Sequence, residues 1–188
     1  LGDSFHESGW STMAGLRCTQ RLLKKLRVQP ESELPPATNR LGDWYANVFN
    51  VGAKRFVIAN SERTHLTVIV PMRDAPRLRE RIREAVHEML FRLRVPPELA
   101  AEEVRGMERM PIGKTASRSV LGSMNDLTFL AKHFFADEPG SVDLVDVQMY
   151  LAGTPMGALE YAFPSEEVCR AFGMSPPSHD MLTRSLLA

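Results

Sequence analysis

The feature that most constrains this chain is a change of hydrophobic period near residue 74. Before it, apolar side chains follow strand spacing. Asp43 to Val51 sets Trp44, Ala46, Val48 and Asn50 against Tyr45, Asn47, Phe49 and Val51, which is the alternation of a strand. Gly52 and Ala53 turn the chain, Arg55 to Ala59 is a run of strand formers, and Asn60 to Arg63 is a polar turn. Leu66 to Val70 is apolar on both faces and is the expected central strand. Connections this short imply an antiparallel meander. After residue 74, Leu78, Ile82, Ala85, Val86, Met89 and Leu93 recur at three and four, an amphipathic helix reaching Arg94. Asp74 is placed to cap it, and Glu88 and Arg92 are spaced to pair.

The remaining segments fill out an α+β plan. Leu16 to Thr19 is a short extended piece whose Thr19 can cap a helix from Gln20 to Val28. Pro30, Pro35 and Pro36 mark a loop. Pro97 suits the first turn of a short helix around Glu98 to Val104. Met107 to Thr115 adds a fourth strand, and Pro111 places it at an edge. Ser117 opens a second long helix with the stripe Val120, Met124, Leu127, Ala131 and Phe134. Glu138-Pro139-Gly140 breaks it, Val142 to Ala152 forms another helix, and Ser165 caps a last short one. The expectation is an antiparallel sheet of about four strands packed on two long amphipathic helices, with short helices at the C-terminus. One domain spans residues 13–173, after a disordered leader or tag over residues 1–12 and before a tail over residues 174–188.

Composition narrows the function classes. Lysine plus arginine equal aspartate plus glutamate at 23 each, so the whole surface is not a nucleic-acid footprint, although a local patch stays open. Cys18 and Cys169 lie far apart, whereas zinc takes ligands in close pairs. With ten methionines and no cysteine framework, reduced buried thiols in a cytoplasmic protein are expected, one long-range disulfide being the alternative. No apolar run approaches the ~20 residues of a membrane span. Neither a metal nor a cofactor is expected.

The most suggestive stretch is Gly113-Lys114-Thr115-Ala116-Ser117-Arg118-Ser119. It leads into a helix N-terminus, where free N–H groups and the dipole favour a phosphate or carboxylate. It is not a phosphate loop: the required earlier glycine position is Glu108. Farther along, Arg118, Gly122 and Asp126 share a side, as do Ser119 and Ser123, with Asn125 beside them. A glycine inside a helix costs about 1 kcal/mol against alanine, so a ligand or a neighbouring strand is expected to approach Gly122. Trp44 with Asn47, then Asn60, Arg63 and His65, form a second polar cluster, although a strand tryptophan belongs more often to a core. His65, His87 and His133 pair with no nucleophile, and there is no GxSxG elbow. Glu102-Glu103 and Glu166-Glu167 diverge on a helix, which is wrong for shared acid–base work. The runs RLLKKLR and RLRERIR are first amphipathic helix faces.

The segments RCTQRLLKKL, LGDWYANVF, NSERTHLTVIVP and KTASRSVLGSMNDLTF together resemble a family of uncharacterised bacterial proteins, a domain of unknown function similar to a region found with plasmid ORF-3-like proteins. The resemblance covers most of Leu16 to Ala136. It implies no reaction and brings no set of functional residues, but it marks Lys114 to Asp126 as a family feature.

The leading expectation is therefore a non-enzymatic binding or interaction module from a bacterial accessory or mobile gene. Its candidate ligand residues are Lys114, Thr115, Arg118, Ser119, Ser123, Asn125, Asp126, Trp44 and Asn47, and no catalytic residue is assigned. The expected partners are an anionic small molecule and a second copy of the chain. The alternatives are a small enzyme acting on a phosphorylated or nucleotide substrate, and a nucleic-acid-binding regulator.

Overall fold

A computed structural model describes residues 13–137 and 142–176. The expected leader, the turn at Glu138-Pro139-Gly140 and the tail beyond residue 176 lie outside the described residues.

The chain opens with β1 (Leu16–Cys18) and α1 (Gln20–Leu26), and continues through β2 (Trp44–Val51), β3 (Lys54–Ser61) and β4 (Thr67–Pro71). A 3-10 turn leads into α2 (Leu78–Arg92), followed by α3 (Pro97–Arg105), β5 (Ile112–Lys114), α4 (Arg118–Asp137), α5 (Leu144–Ala152) and α6 (Pro164–Ala171). Caps explain several boundaries. Thr19 accepts the Leu22 amide at 3.3 Å and starts α1. Asp143 accepts the Val145 amide at 2.9 Å and starts α5. Ser165, expected as the cap of α6, lies inside that helix and is buried, while Phe163 stands at the cap position without a capping side chain. Pro164 is the first helical residue, which puts the helix start one residue before Ser165 and leaves the serine inside the first turn. The side chain of Asp74 lies outside the described residues.

The sheet has five strands in the order β4-β3-β2-β1-β5. The antiparallel meander β2-β3-β4 stands as expected, but the sheet as a whole is mixed. β1 lies between β2 and β5 and runs parallel to both. Its link to β2 carries α1 and a long loop, the kind of crossover that parallel neighbours require. Three residues are too few for alternation to declare a strand, so the sequence showed only an extended piece. β5 holds the expected edge. β4, expected at the centre, holds the other edge.

That misplacement has a physical cause. Both faces of β4 are covered, so its side chains are apolar throughout even though only one neighbour pairs with it. Alternate residues of the sheet feed two separate cores. Leu16, Cys18, Trp44, Ala46, Val48, Val57, Ala59, Val68 and Val70 pack with Leu22 of α1, Leu78, Ile82, Val86 and Met89 of α2, and Ala100 of α3. On the opposite face, Tyr45, Phe49, Phe56, Ile58 and Ile69 pack with Val120, Met124, Leu127 and Ala131 of α4. The two long helices thus sit on opposite faces, and the molecule is a three-layer α/β/α sandwich. Helix α5 contributes Met149 and Ala152 to the first core and Val147 and Leu151 to the second. It wraps the β4 edge, where buried Gln148 accepts the Ile69 amide at 2.7 Å.

Candidate functional site

β5 delivers Lys114 to the edge of the sheet, and three residues later the chain enters α4. Ser117 is the cap: its hydroxyl accepts the Val120 amide at 3.3 Å and its carbonyl the Leu121 amide at 3.2 Å. The next two amides, of Arg118 and Ser119, have no intrahelical carbonyl, and the dipole of a 20-residue helix adds positive potential there. Lys114, Arg118 and Ser119 are exposed and Thr115 is half-buried. Neither Lys114 nor Arg118 takes part in an ion pair among the described residues.

A polar layer missed by the sequence reading lies behind this helix start. Arg17 of β1 donates Nε to Asp43 Oδ2 at 2.6 Å, and Asp43 Oδ1 accepts the Gly15 amide at 2.7 Å. Arg17 also directs a second nitrogen toward the Lys114 carbonyl at 3.5 Å. Tyr45, paired in register with Arg17, places its hydroxyl 3.4 Å from Glu62 Oε1. Burial raises its phenol above the ordinary 10.0; Glu62 and Asp43 act the same way, against Arg17 and the Ser117 backbone. The phenol therefore stays protonated at neutral pH and is a hydrogen-bond donor rather than a base. The signal for this layer was the register of β1 on β2, which the sequence alone does not state.

Gly113 is explained by packing. A Cβ there would lie 2.7 Å from Leu34, and one at Gly15 would lie 2.6 Å from the same side chain. Leu34 rests on these two glycine positions and closes the sheet beside Arg17. This accounts for the glycine without a phosphate loop.

The structure divides the remaining candidates. Ser123 is buried and turned toward the sheet, whereas Asn125 and Asp126 are exposed on the outer side of α4. At ~1.5 Å rise per residue, Asp126 lies ~12 Å along the helix from Arg118. Among the described residues, nothing beyond the helix's own backbone lies within 4 Å of a Cβ built at Gly122, so no described strand makes the approach expected there. Trp44 is 0% exposed and belongs to the core on the other face, where it cannot stack on a ligand. Asn47 accepts the Thr19 hydroxyl at 2.8 Å and helps anchor the start of α1.

The second expected cluster comes together only in part. Asn60 Nδ2 lies 3.4 Å from His65 Nδ1, both buried, and burial lowers the imidazole below its ordinary 6.5. Arg63 turns away and donates to the Asn39 and Ala37 carbonyls at 2.8 and 3.1 Å. Both cysteines are free and buried, and burial pushes the Cys18 thiol up to about 12. Among the described residues no three His, Cys, Asp or Glu side chains gather as metal ligands, and no helix is long and apolar enough to cross a membrane.

A recess of about 410 Å³ lies on the α2 side, lined by Arg77, Arg79, Arg83 and Arg109 together with Glu80 and Glu108. Arg77 is held by Glu80 and Arg79 by the Arg109 carbonyl. The arginines of α2 and the start of α4 therefore belong to different layers, and their charges are interleaved with carboxylates.

No curated protein and no solved structure matches the chain. The pattern of one family matches residues 15–167, from the strand that carries Arg17 to the first turns of α6, and the chain belongs to that family, described as a domain of unknown function (DUF6933).

Proposed function

We propose that this domain is a binding module that receives an anionic group, a phosphate or a carboxylate, at the start of α4. The observation that carries the reading is the pair of exposed cations, Lys114 and Arg118, flanking two helix-start amides that have no intrahelical partner. Lys114 comes from β5 and Arg118 from α4, so the two charges are fixed relative to the amides by separate elements. The Arg17–Asp43 pair and the capping Ser117 hold the backbone between them.

Binding is favoured over catalysis by the directions of the side chains that chemistry would need. Ser123 faces the sheet and Asp126 faces water, so neither shares a concave pocket with Arg118. The resemblance to a region accompanying plasmid ORF-3-like proteins supports a setting in the cytoplasm of bacteria, in an accessory or mobile gene.

The test is thermal unfolding with added phosphate, pyrophosphate or a short dicarboxylate. An anion at ten times its Kd stabilises the fold by ~1.4 kcal/mol, which raises Tm by ~3–6 °C in a domain of this size. Lys114→Ala and Arg118→Ala should each reduce that shift, and the double variant should abolish it. If no anion shifts the wild type, or the double variant shifts equally, the reading is wrong.

A further inference from the structure

Two recesses, one aliphatic and one cationic, meet at Arg79, and neither belongs to the start of α4. The aliphatic one has a volume of about 240 Å³ and lies between the end of α1, strands β1 and β5, and the start of α2. Helix α1 stops at Arg27, whose φ of 56° is left-handed, and the residues on either side, Leu26 and Val28, form one wall. Ile112 of β5 supplies another, and the buried Leu16 and Leu78 complete it. Among the described residues, every side chain that lines this recess except that of Arg79 is aliphatic. Protein interiors leave few voids larger than a water. An engineered void of ~150 Å³ with such a lining takes up benzene.

The cationic recess is the one of about 410 Å³ on the α2 side, and Pro76 and Arg79 line both. Its described lining sets Arg77, Arg79, Arg83 and Arg109 against Glu80 and Glu108. Arg77 pairs with Glu80, while Arg79 donates to a neutral acceptor, the Arg109 carbonyl, at 3.1 Å. Among the described residues, Arg79, Arg83 and Arg109 take part in no ion pair. Glu108 alone stands against these three in the described lining, which therefore keeps an excess of positive charge beside the aliphatic recess. Guanidinium groups so placed match a carboxylate or a phosphate, which they can hold by two parallel hydrogen bonds.

We propose that the two recesses form one site for a small amphipathic anion, its aliphatic tail in the first and its carboxylate or phosphate head in the second. The volume sets the tail length. A methylene is about as large as a water, which takes up ~30 Å³ of the liquid, so 240 Å³ holds roughly eight. The lining also sets the chemistry of the tail. It offers no aromatic ring to stack on a base, and no side-chain amide, hydroxyl or carboxylate to meet a base's polar edge. A hydrocarbon enters without that loss. The site uses neither Lys114 nor Arg118, so it stands or falls apart from the anion site of α4.

Titration calorimetry of the full chain with butyrate, hexanoate, octanoate and dodecanoate tests the tail. Affinity should rise ~4-fold per methylene and level off beyond about eight carbons. Octyl phosphate and octanoate rank the two heads, and uncharged octanol should bind ~10-fold more weakly than the better of them. Val28→Phe fills the aliphatic recess from a half-buried loop position and should weaken octanoate by ~10-fold or more. Arg79 is exposed, so Arg79→Gln should keep the circular dichroism unchanged while losing ~10-fold in octanoate affinity. The Lys114→Ala/Arg118→Ala variant should bind octanoate as the wild type does. The proposal is overturned if neither octanoate nor octyl phosphate binds, if affinity is flat along the chain series, or if octanol binds as tightly as the anions. Unchanged octanoate binding by a folded Val28→Phe or Arg79→Gln overturns it too. So does loss of octanoate binding in Lys114→Ala/Arg118→Ala, because the anion then sits at the start of α4.

Discussion

Glu103 shows how much one side chain can organise. It is 1% exposed, yet its carboxylate accepts Asn39 Nδ2 at 2.6 Å, the Leu41 amide at 3.0 Å and the Arg40 amide at 2.9 Å. These bonds tie α3 to the loop that leads into Asp43 and β2. Burial raises its pKa above the ordinary 4.5, while the Leu41 and Arg40 amides, Asn39 and the Arg40 charge oppose the rise without cancelling it. A raised folded-state pKa means that the fold binds this proton more tightly than the unfolded chain does. The stability linked to that proton is complete below pH 4.5 and is lost as pH climbs through the folded value. Glu103→Gln removes the titration, so the stability of wild type relative to this variant should fall above pH 4.5 and then level off. Glu103→Ala orphans the buried Leu41 amide, the half-buried Arg40 amide and the Asn39 side chain, for a loss of ~2–4 kcal/mol in urea denaturation. A loss under about 0.5 kcal/mol would mean that water replaces the carboxylate and that the loop does not depend on it.

Among the elements, α5 has the most consequential position. An edge strand with apolar faces and a free row of amides invites pairing with another chain. Here the β4 edge is met by α5, with Gln148 as acceptor for Ile69. Gln148→Leu keeps the volume but leaves the buried Ile69 amide without its acceptor, which should cost ~1–3 kcal/mol. The exposed edge predicts faster aggregation near the midpoint of unfolding, measured by light scattering; unchanged stability and scattering would show that the edge is protected by packing alone. This element also explains what the sequence could not state. The Leu66 to Val70 run reports burial on both faces, and burial is the same whether a strand or a helix supplies the cover. The caps at Thr19 and Ser117, the Glu88–Arg92 pair and the β2-β3-β4 meander depend on neighbours close in sequence and were legible. The parallel seat of β1, the Arg17–Asp43–Tyr45 layer and the Gln148 bond depend on partners 26 to 79 residues apart, or on register alone. Of the candidate site, the helix start was readable because capping chemistry is local, while the directions of Ser123, Asp126 and Trp44 awaited the layers.

The whole molecule is two cores separated by one sheet, and every strand of the meander contributes to both. Ile82 of α2 and Leu127 of α4 are each 0% exposed on opposite sides. Removing cover from one face exposes strands whose other face is still packed, so neither core has a stable form without the other. α5 strengthens this coupling by contributing side chains to both. Ile82→Ala and Leu127→Ala should each lower stability by ~2–5 kcal/mol through lost burial and an unfilled cavity. The two sites share no partner across the sheet, so their costs should add within ~0.5 kcal/mol in the double variant, provided it still folds. The coupling makes a sharper prediction about cooperativity. Trp44 lies in the α2-side core, so in a Trp10→Phe background its fluorescence follows that face, while helical circular dichroism follows both. In Leu127→Ala the damage is on the far side from Trp44, yet the fluorescence and dichroism transitions should still coincide. A tryptophan transition that lags behind the helical one would show that the α4 layer detaches first, and that the sheet does not bind the two cores into one unit.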